Sequence, residues 1–89
     1  MIKKRITISN KLGLHARAAA KLVTLASSFD SDIELKTRCR TANGKSIMSV
    51  MMLAAGQGSE ITLMIEGNDE QSAYSALEIL INRRFDEEQ

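Results

Sequence analysis

The chain has no proline and no tryptophan, one cysteine, one histidine, and Phe29, Tyr74 and Phe85 as its aromatics. Each scarcity excludes something. Cys39 is alone, so no internal disulfide can form, which fits a reducing compartment. One histidine and one cysteine fall short of the Cys/His set that a structural zinc site takes, so neither a metal nor a cofactor is expected. The scattered aromatics make no platform for stacking bases, and nucleic acid is not expected as a partner. No run is both long and uncharged enough to span a membrane, so membrane insertion is not expected either. The basic start Met1-Ile2-Lys3-Lys4-Arg5 continues as the alternating Ile6-Thr7-Ile8 and not as the apolar stretch of a signal peptide. A cytoplasmic protein is therefore expected.

What is present suits one small globular unit. Eighty-nine residues, 44% of them hydrophobic, are enough for one packed core, so residues 1–89 are read as a single domain and a monomer. The net charge of +1 hides an uneven distribution: residues 1–45 hold ten Lys/Arg against three Asp/Glu, and residues 46–89 hold two against eight. Such asymmetry fits a face that meets an acidic partner, and it equally fits charges that average out over the folded surface.

Hydrophobic spacing sets the order of elements. Residues 2–8 place Ile2, Lys4, Ile6 and Ile8 opposite Lys3, Arg5 and Thr7, the pattern of a half-buried strand. A loop follows, with Asn10 and Gly13 as turn residues. Over residues 16–29, Ala19, Leu22, Val23, Ala26 and Phe29 recur every three or four positions, which predicts an amphipathic helix. Ile33 and Leu35 alternate with polar neighbours in a second strand, and residues 39–42 predict a short third one closed by Asn43-Gly44. Ser46 is placed to cap a short helix through Leu53, ended by a left-handed glycine within Ala54-Ala55-Gly56-Gln57-Gly58. Ile61, Leu63 and Ile65 mark the fourth strand. Asn68-Asp69-Glu70-Gln71 has the residues of a capping-box start for a last helix with Ala73, Ala76, Leu77, Leu80 and Ile81 on one face. The order βαββαβα, with one apolar face per element, predicts an α+β open-faced β-sandwich. A four-stranded antiparallel sheet is covered on one face by three helices.

The only histidine lies where a loop meets a helix, in Gly13-Leu14-His15-Ala16-Arg17. The first turn of a helix presents unpaired N–H groups and a partial positive charge, a natural anion site. The backbone of Ala16 and Arg17 supplies such donors, and the Arg17 side chain adds a cation. The helix field disfavours an imidazolium there by roughly 0.3–1 kcal/mol. A neutral imidazole is a nucleophile, and phosphoryl oxygens arriving on it would meet waiting donors. No paired acid or metal accompanies His15 and Arg17, so a complete catalytic centre is not expected.

These residues resemble the active-site signature of the HPr phosphocarriers, in which His follows Gly-aliphatic and precedes Ala-Arg. A second stretch, Asn43-Gly44-Lys45-Ser46-Ile47-Met48-Ser49-Val50-Met51, resembles that family's regulatory-serine helix at the family's spacing. The resemblance implies a phosphotransferase-system carrier, not an enzyme in its own right, that accepts a phosphoryl group from phospho-enzyme I on Nδ1 of His15. Arg17 helps to hold that group, and enzyme IIA proteins are the acceptors. It also implies the sheet order 1-4-2-3 and possible phosphorylation of Ser46 by an HPr kinase/phosphorylase. Asn10-Lys11-Leu12-Gly13 and Phe85-Asp86-Glu87-Glu88 look more like the family's nitrogen-related branch than its sugar-transport one.

One departure is plain: the family usually has proline after the arginine, and this chain has Ala18. Alanine still forms the turn but holds Arg17 less rigidly. The helix after Ser46 carries more apolar residues than a two-turn helix can bury. Ile47 and Met48 are expected to be a partner-docking face, with Met51 and Met52 as gap-filling core and Lys21, Thr24 and Gln57 as rim. A small RNA-binding or ligand-sensing module is the alternative that the same architecture allows.

Overall fold

The computed structural model describes residues 1–87. Its strands are β1 (Ile2–Thr7), β2 (Asp32–Lys36), β3 (Thr41–Asn43) and β4 (Glu60–Glu66), and its helices are α1 (Ala16–Ser27), α2 (Ile47–Met52) and α3 (Glu70–Asn82). A one-turn segment, Arg84–Asp86, follows α3. Every strand pair is antiparallel and the sheet order is β1-β4-β2-β3, the order that the family resemblance implies.

Register explains why one face is apolar. Ile6 lies opposite Ile61, and Leu63 and Ile65 of β4 lie opposite Leu35 and Ile33 of β2, so the side chains that alternate inward form one continuous layer. Against it pack Ala19, Leu22, Val23 and Ala26 of α1, Val50 of α2, and Ala73, Leu77 and Ile81 of α3, all buried. The other face leaves Lys3, Arg5, Glu34 and Lys36 exposed. This is the α+β open-faced sandwich.

Local details depart from the sequence reading. Helix α1 stops at Ser27, and Phe29 lies just past it, half-buried against the core. The third strand begins two residues later than expected, at Thr41, and ends at Asn43. The Thr37 hydroxyl accepts the N–H groups of Cys39 and Arg40, and the Thr37 N–H donates to the Arg40 carbonyl, so a tight turn takes those residues. Lys4 shares the inward side with its cross-strand neighbour Leu63 but is exposed.

Beyond α2 the first left-handed residue is Ala54, at φ +52°, and the glycine expected in that conformation comes later, Gly58 at φ +87°. Asp69 begins α3 without capping it: its carboxylate accepts the N–H groups of Asp30 (2.9 Å) and Ser31 (3.0 Å) instead. The Ser31 hydroxyl, and then the Asp30 N–H, hold that carboxyl below its ordinary range. The α1–β2 connection is thereby pinned to the start of α3. Met51 and Met52 are exposed, 38% and 56%, and are not gap-filling core, because α2 buries only Val50.

Candidate functional site

Gly13 brings the loop before α1 into place. Its φ of +68° is left-handed, and a Cβ there would sit 2.3 Å from the Ala55 carbonyl oxygen, which only glycine avoids. The next residue, Leu14, donates its N–H to that carbonyl at 2.8 Å. The loop that carries His15 is therefore hooked onto the segment just after α2, which puts the two motif helices side by side.

His15 is the N-cap of α1. Its backbone is extended (φ −75°, ψ 180°), its carbonyl accepts the Ala19 N–H at 2.8 Å, and its Nδ1 faces the Arg17 N–H at 3.4 Å. A ring nitrogen here takes the place of the usual capping oxygen. The side chain is 29% exposed and opens into a cleft of about 830 Å³ lined by Lys11, Leu12, Ala16, Arg17, Lys21, Asp86 and Glu87. Three cations and the first turn of a helix thus border one imidazole. Arg17 is exposed at the rim, and Ala18 points inward and is fully buried.

The other ring nitrogen has a partner that sequence reasoning missed. Nε2 of His15 lies against the Glu87 carboxylate, through Oε2. The second carboxylate oxygen, Oε1, accepts from Nδ2 of Asn10 at 2.8 Å. Asn10 is fully buried, and the same Nδ2 also donates to the Gly13 carbonyl at 2.8 Å. With both hydrogens of the amide aimed at acceptors, its orientation is settled, and Oδ1 is left without a partner among the described residues. Burial pushes the Glu87 carboxyl up. The hydrogen bonds from Asn10 and His15, and the charges of His15 and Lys21, outweigh burial and hold it below its ordinary range.

A left-handed turn delivers Glu87. Arg84, Phe85 and Asp86 have φ of +57°, +56° and +59°, each costing about 1–2 kcal/mol in a residue with a Cβ. The turn is held by the Phe85 ring, which is fully buried, and by Lys21, whose Nζ donates to the Phe85 carbonyl at 2.7 Å. No spacing rule points to three consecutive left-handed residues without glycine, so the sequence gives no signal for this contact.

The remaining site residues fall as follows. Ser46 is the N-cap of α2, its Oγ accepting the Ser49 N–H at 3.3 Å. Ile47 and Met48 are exposed, 42% and 69%, and Met51, Met52 and Leu12 extend the exposed apolar set. Lys21 is part of the cleft; Thr24 lies farther along α1, in a groove with Leu80 and Asp86. Gln57 donates to the Ser9 carbonyl at 3.2 Å, at the foot of the loop.

Among the described residues, no group of His, Cys, Asp and Glu is arranged to hold a metal ion. Among the same residues, no helix is long and apolar enough to cross a membrane.

A family model described as the PTS HPr component phosphorylation site matches residues 2–83. The chain belongs to the HPr family. It is 51% identical to the phosphocarrier protein HPr of Xylella fastidiosa, over 99% of both chains. It is 54% identical to that of Cupriavidus necator, over 98% of both. The solved structure of HPr-C-His from Thermoanaerobacter tengcongensis superposes with a TM-score of 0.95 at 45% identity, covering 100% of each chain. The HPr family is the phosphocarrier family of the phosphotransferase system, and family membership replaces the RNA-binding and ligand-sensing alternatives.

Proposed function

We propose that this protein takes a phosphoryl group from phospho-enzyme I on Nδ1 of His15 and passes it to enzyme IIA proteins. It is a covalent carrier, and the catalytic apparatus for each transfer is completed by the partner. The observation that carries this reading is the His15 N-cap: a ring nitrogen facing the first-turn N–H of Arg17, inside an open cleft bordered by Lys11, Arg17 and Lys21.

The Nδ1 lone pair attacks phosphorus in line as the bond to the donor breaks, and that bond's electron pair leaves with the donor. The negative charge spread over the phosphoryl oxygens meets the Arg17 guanidinium and the N–H groups of Ala16 and Arg17, already oriented by the helix. Ala18 leaves this first turn intact but does not fix φ as proline would. The cleft is open, as a site must be that two different proteins reach in turn.

Ser46 is the regulatory position. A phosphoryl group there adds about −1.5 to −2 charges at a helix N-terminus, which the fold tolerates and an acidic or apolar partner surface does not. A dedicated HPr kinase/phosphorylase is the modifying partner. Ile47 and Met48, exposed on the helix beside the His15 loop, are the apolar part of the docking face.

The test is intact-mass analysis after incubation with enzyme I and phosphoenolpyruvate. One phosphoryl group is expected, lost in acid and absent in His15→Ala. An adduct that survives acid, or that forms on His15→Ala, contradicts the proposal.

A further inference from the structure

A histidine that carries a phosphoryl group must commit one ring nitrogen as nucleophile, and in the neutral ring only the nitrogen without hydrogen is available. The described surroundings of His15 decide which one. A carboxylate held by Asn10 on Oε1 can only accept on Oε2, so Nε2 of His15 carries the hydrogen. Nδ1 faces a backbone N–H, which can only donate, so Nδ1 carries the lone pair. The two contacts demand the same tautomer.

We infer that Glu87 is the positioning residue of this site: it selects the tautomer with Nδ1 free to attack, and its charge faces the positive ring that the attack creates. The inference rests on the reading of His15 as the phosphoryl acceptor.

The balance of the step shows why a carboxylate is suited to the place. When the Nδ1 lone pair forms the N–P bond, the ring keeps its Nε2 hydrogen and becomes a phosphoimidazolium. No proton enters or leaves. On transfer to the acceptor the N–P bond breaks, its electron pair returns to Nδ1, and the ring is neutral again. A fixed carboxylate on Nε2 stabilises the charged form in both directions without moving a proton, as the buried aspartate of a hydrolase triad does for its histidine. Lys11 from the loop, Arg17 and Lys21 from α1 and Asp86 from the tail are the other charged groups around the cleft. Three of these four are cations, and the charge of Lys21 helps to hold Glu87 in its charged form.

The supporting structure also argues for a role beyond packing. Three left-handed residues, a buried phenylalanine, the Lys21 bond and a buried asparagine all converge on the placement of one carboxylate. Nothing in the βαββαβα frame requires the chain to turn back over His15 after α3 ends.

The experiment compares wild type with Glu87→Ala and Glu87→Gln, following the ring by ¹⁵N NMR of His15 and transfer by single-turnover phosphorylation from phospho-enzyme I. In the wild type the Nε2–H form is expected to dominate. In Glu87→Ala the Nδ1–H form becomes measurable, and the transfer rate falls by about 10–100-fold, the size of effect seen when the hydrogen-bond partner behind a metal-bound histidine is removed. The concentration for half-maximal rate changes less than twofold. Glu87→Gln keeps the side chain's size and loses its charge, so its rate also falls, and it serves if the alanine variant does not fold. An unchanged tautomer ratio and unchanged rate in either folded variant overturn the inference. Failure of the wild type to accept any phosphoryl group would instead overturn the reading of His15, while the tautomer measurement still reports on Glu87.

Discussion

Lys21 and Phe85 join the first long helix to the chain's far end: the lysine Nζ donates to the phenylalanine carbonyl at 2.7 Å, across 64 positions of sequence. The bond matters because the Phe85 ring is fully buried while its backbone is left-handed. Burial of the ring opposes the backbone cost, and the tail lies over the His15 cleft as a result.

Phe85→Ala should therefore cost about 3–5 kcal/mol of stability, the range for a large aromatic removed from a core. Urea denaturation checks it. A loss below about 1 kcal/mol would mean that the ring is not core and that the tail is not held by it.

Gly13→Ala should destabilise by more than ~1 kcal/mol, since it combines a left-handed backbone with a Cβ driven into the Ala55 carbonyl. The loop can escape only by leaving α2. Transfer to His15 should fall together with the melting temperature, and a variant as stable and as active as wild type would show that the loop is not hooked there.

Docking is separable from folding at Met48, which is 69% exposed. Met48→Asp should weaken acceptance from enzyme I while stability moves by within about 0.5 kcal/mol, as for most surface changes. The new carboxylate is costly only if a partner desolvates it. Ser46→Asp should act in the same direction, more weakly than true phosphorylation, because it adds one charge. The apparent KM of each variant, measured beside its melting temperature, is the check. Unfolding of Met48→Asp would place Met48 in the core and remove the docking face.

Acid should expose the Glu87 contact. Its folded-state carboxyl lies below the ordinary 4.5 of a glutamate, so the stability it contributes is present above that value and is lost as pH falls through the lower, folded one. Melting curves of wild type and Glu87→Gln should differ most above about pH 5 and converge as pH falls through the lowered folded-state value. Asp69 and Glu70, also held low, contribute to acid sensitivity in both proteins and cancel in the difference. A gap that widens in acid would contradict the account.

Much of this was legible in the sequence because it depends on period. Ile61, Leu63 and Ile65 alternate, and Ala19, Leu22, Val23 and Ala26 recur at helical spacing, so the layers follow from one-dimensional pattern. His15 and Ser46 were legible too, since a cap is a local event. What escaped was local chemistry that breaks a pattern, such as the Thr37 hydroxyl turning Cys39 and Arg40 away from the ladder. Glu87 escaped for a different reason. It is 72 positions from His15 and arrives through a left-handed turn built from Arg84, Phe85 and Asp86, none of them a turn-forming glycine or asparagine. Asn10, Gly13, Phe85 and Glu87, read in the sequence as marks of a family branch, are here the parts that build the cleft.

The central claim is that Nδ1 of His15 bonds to phosphorus while Nε2 keeps its hydrogen against Glu87. Phosphorylation of ¹⁵N-labelled protein by enzyme I and phosphoenolpyruvate, followed by ³¹P and ¹⁵N NMR, tests it directly. The account predicts a single phosphorus–nitrogen coupling, to Nδ1, with the proton still on Nε2. A coupling to Nε2, or phosphorus bound to oxygen, would contradict it.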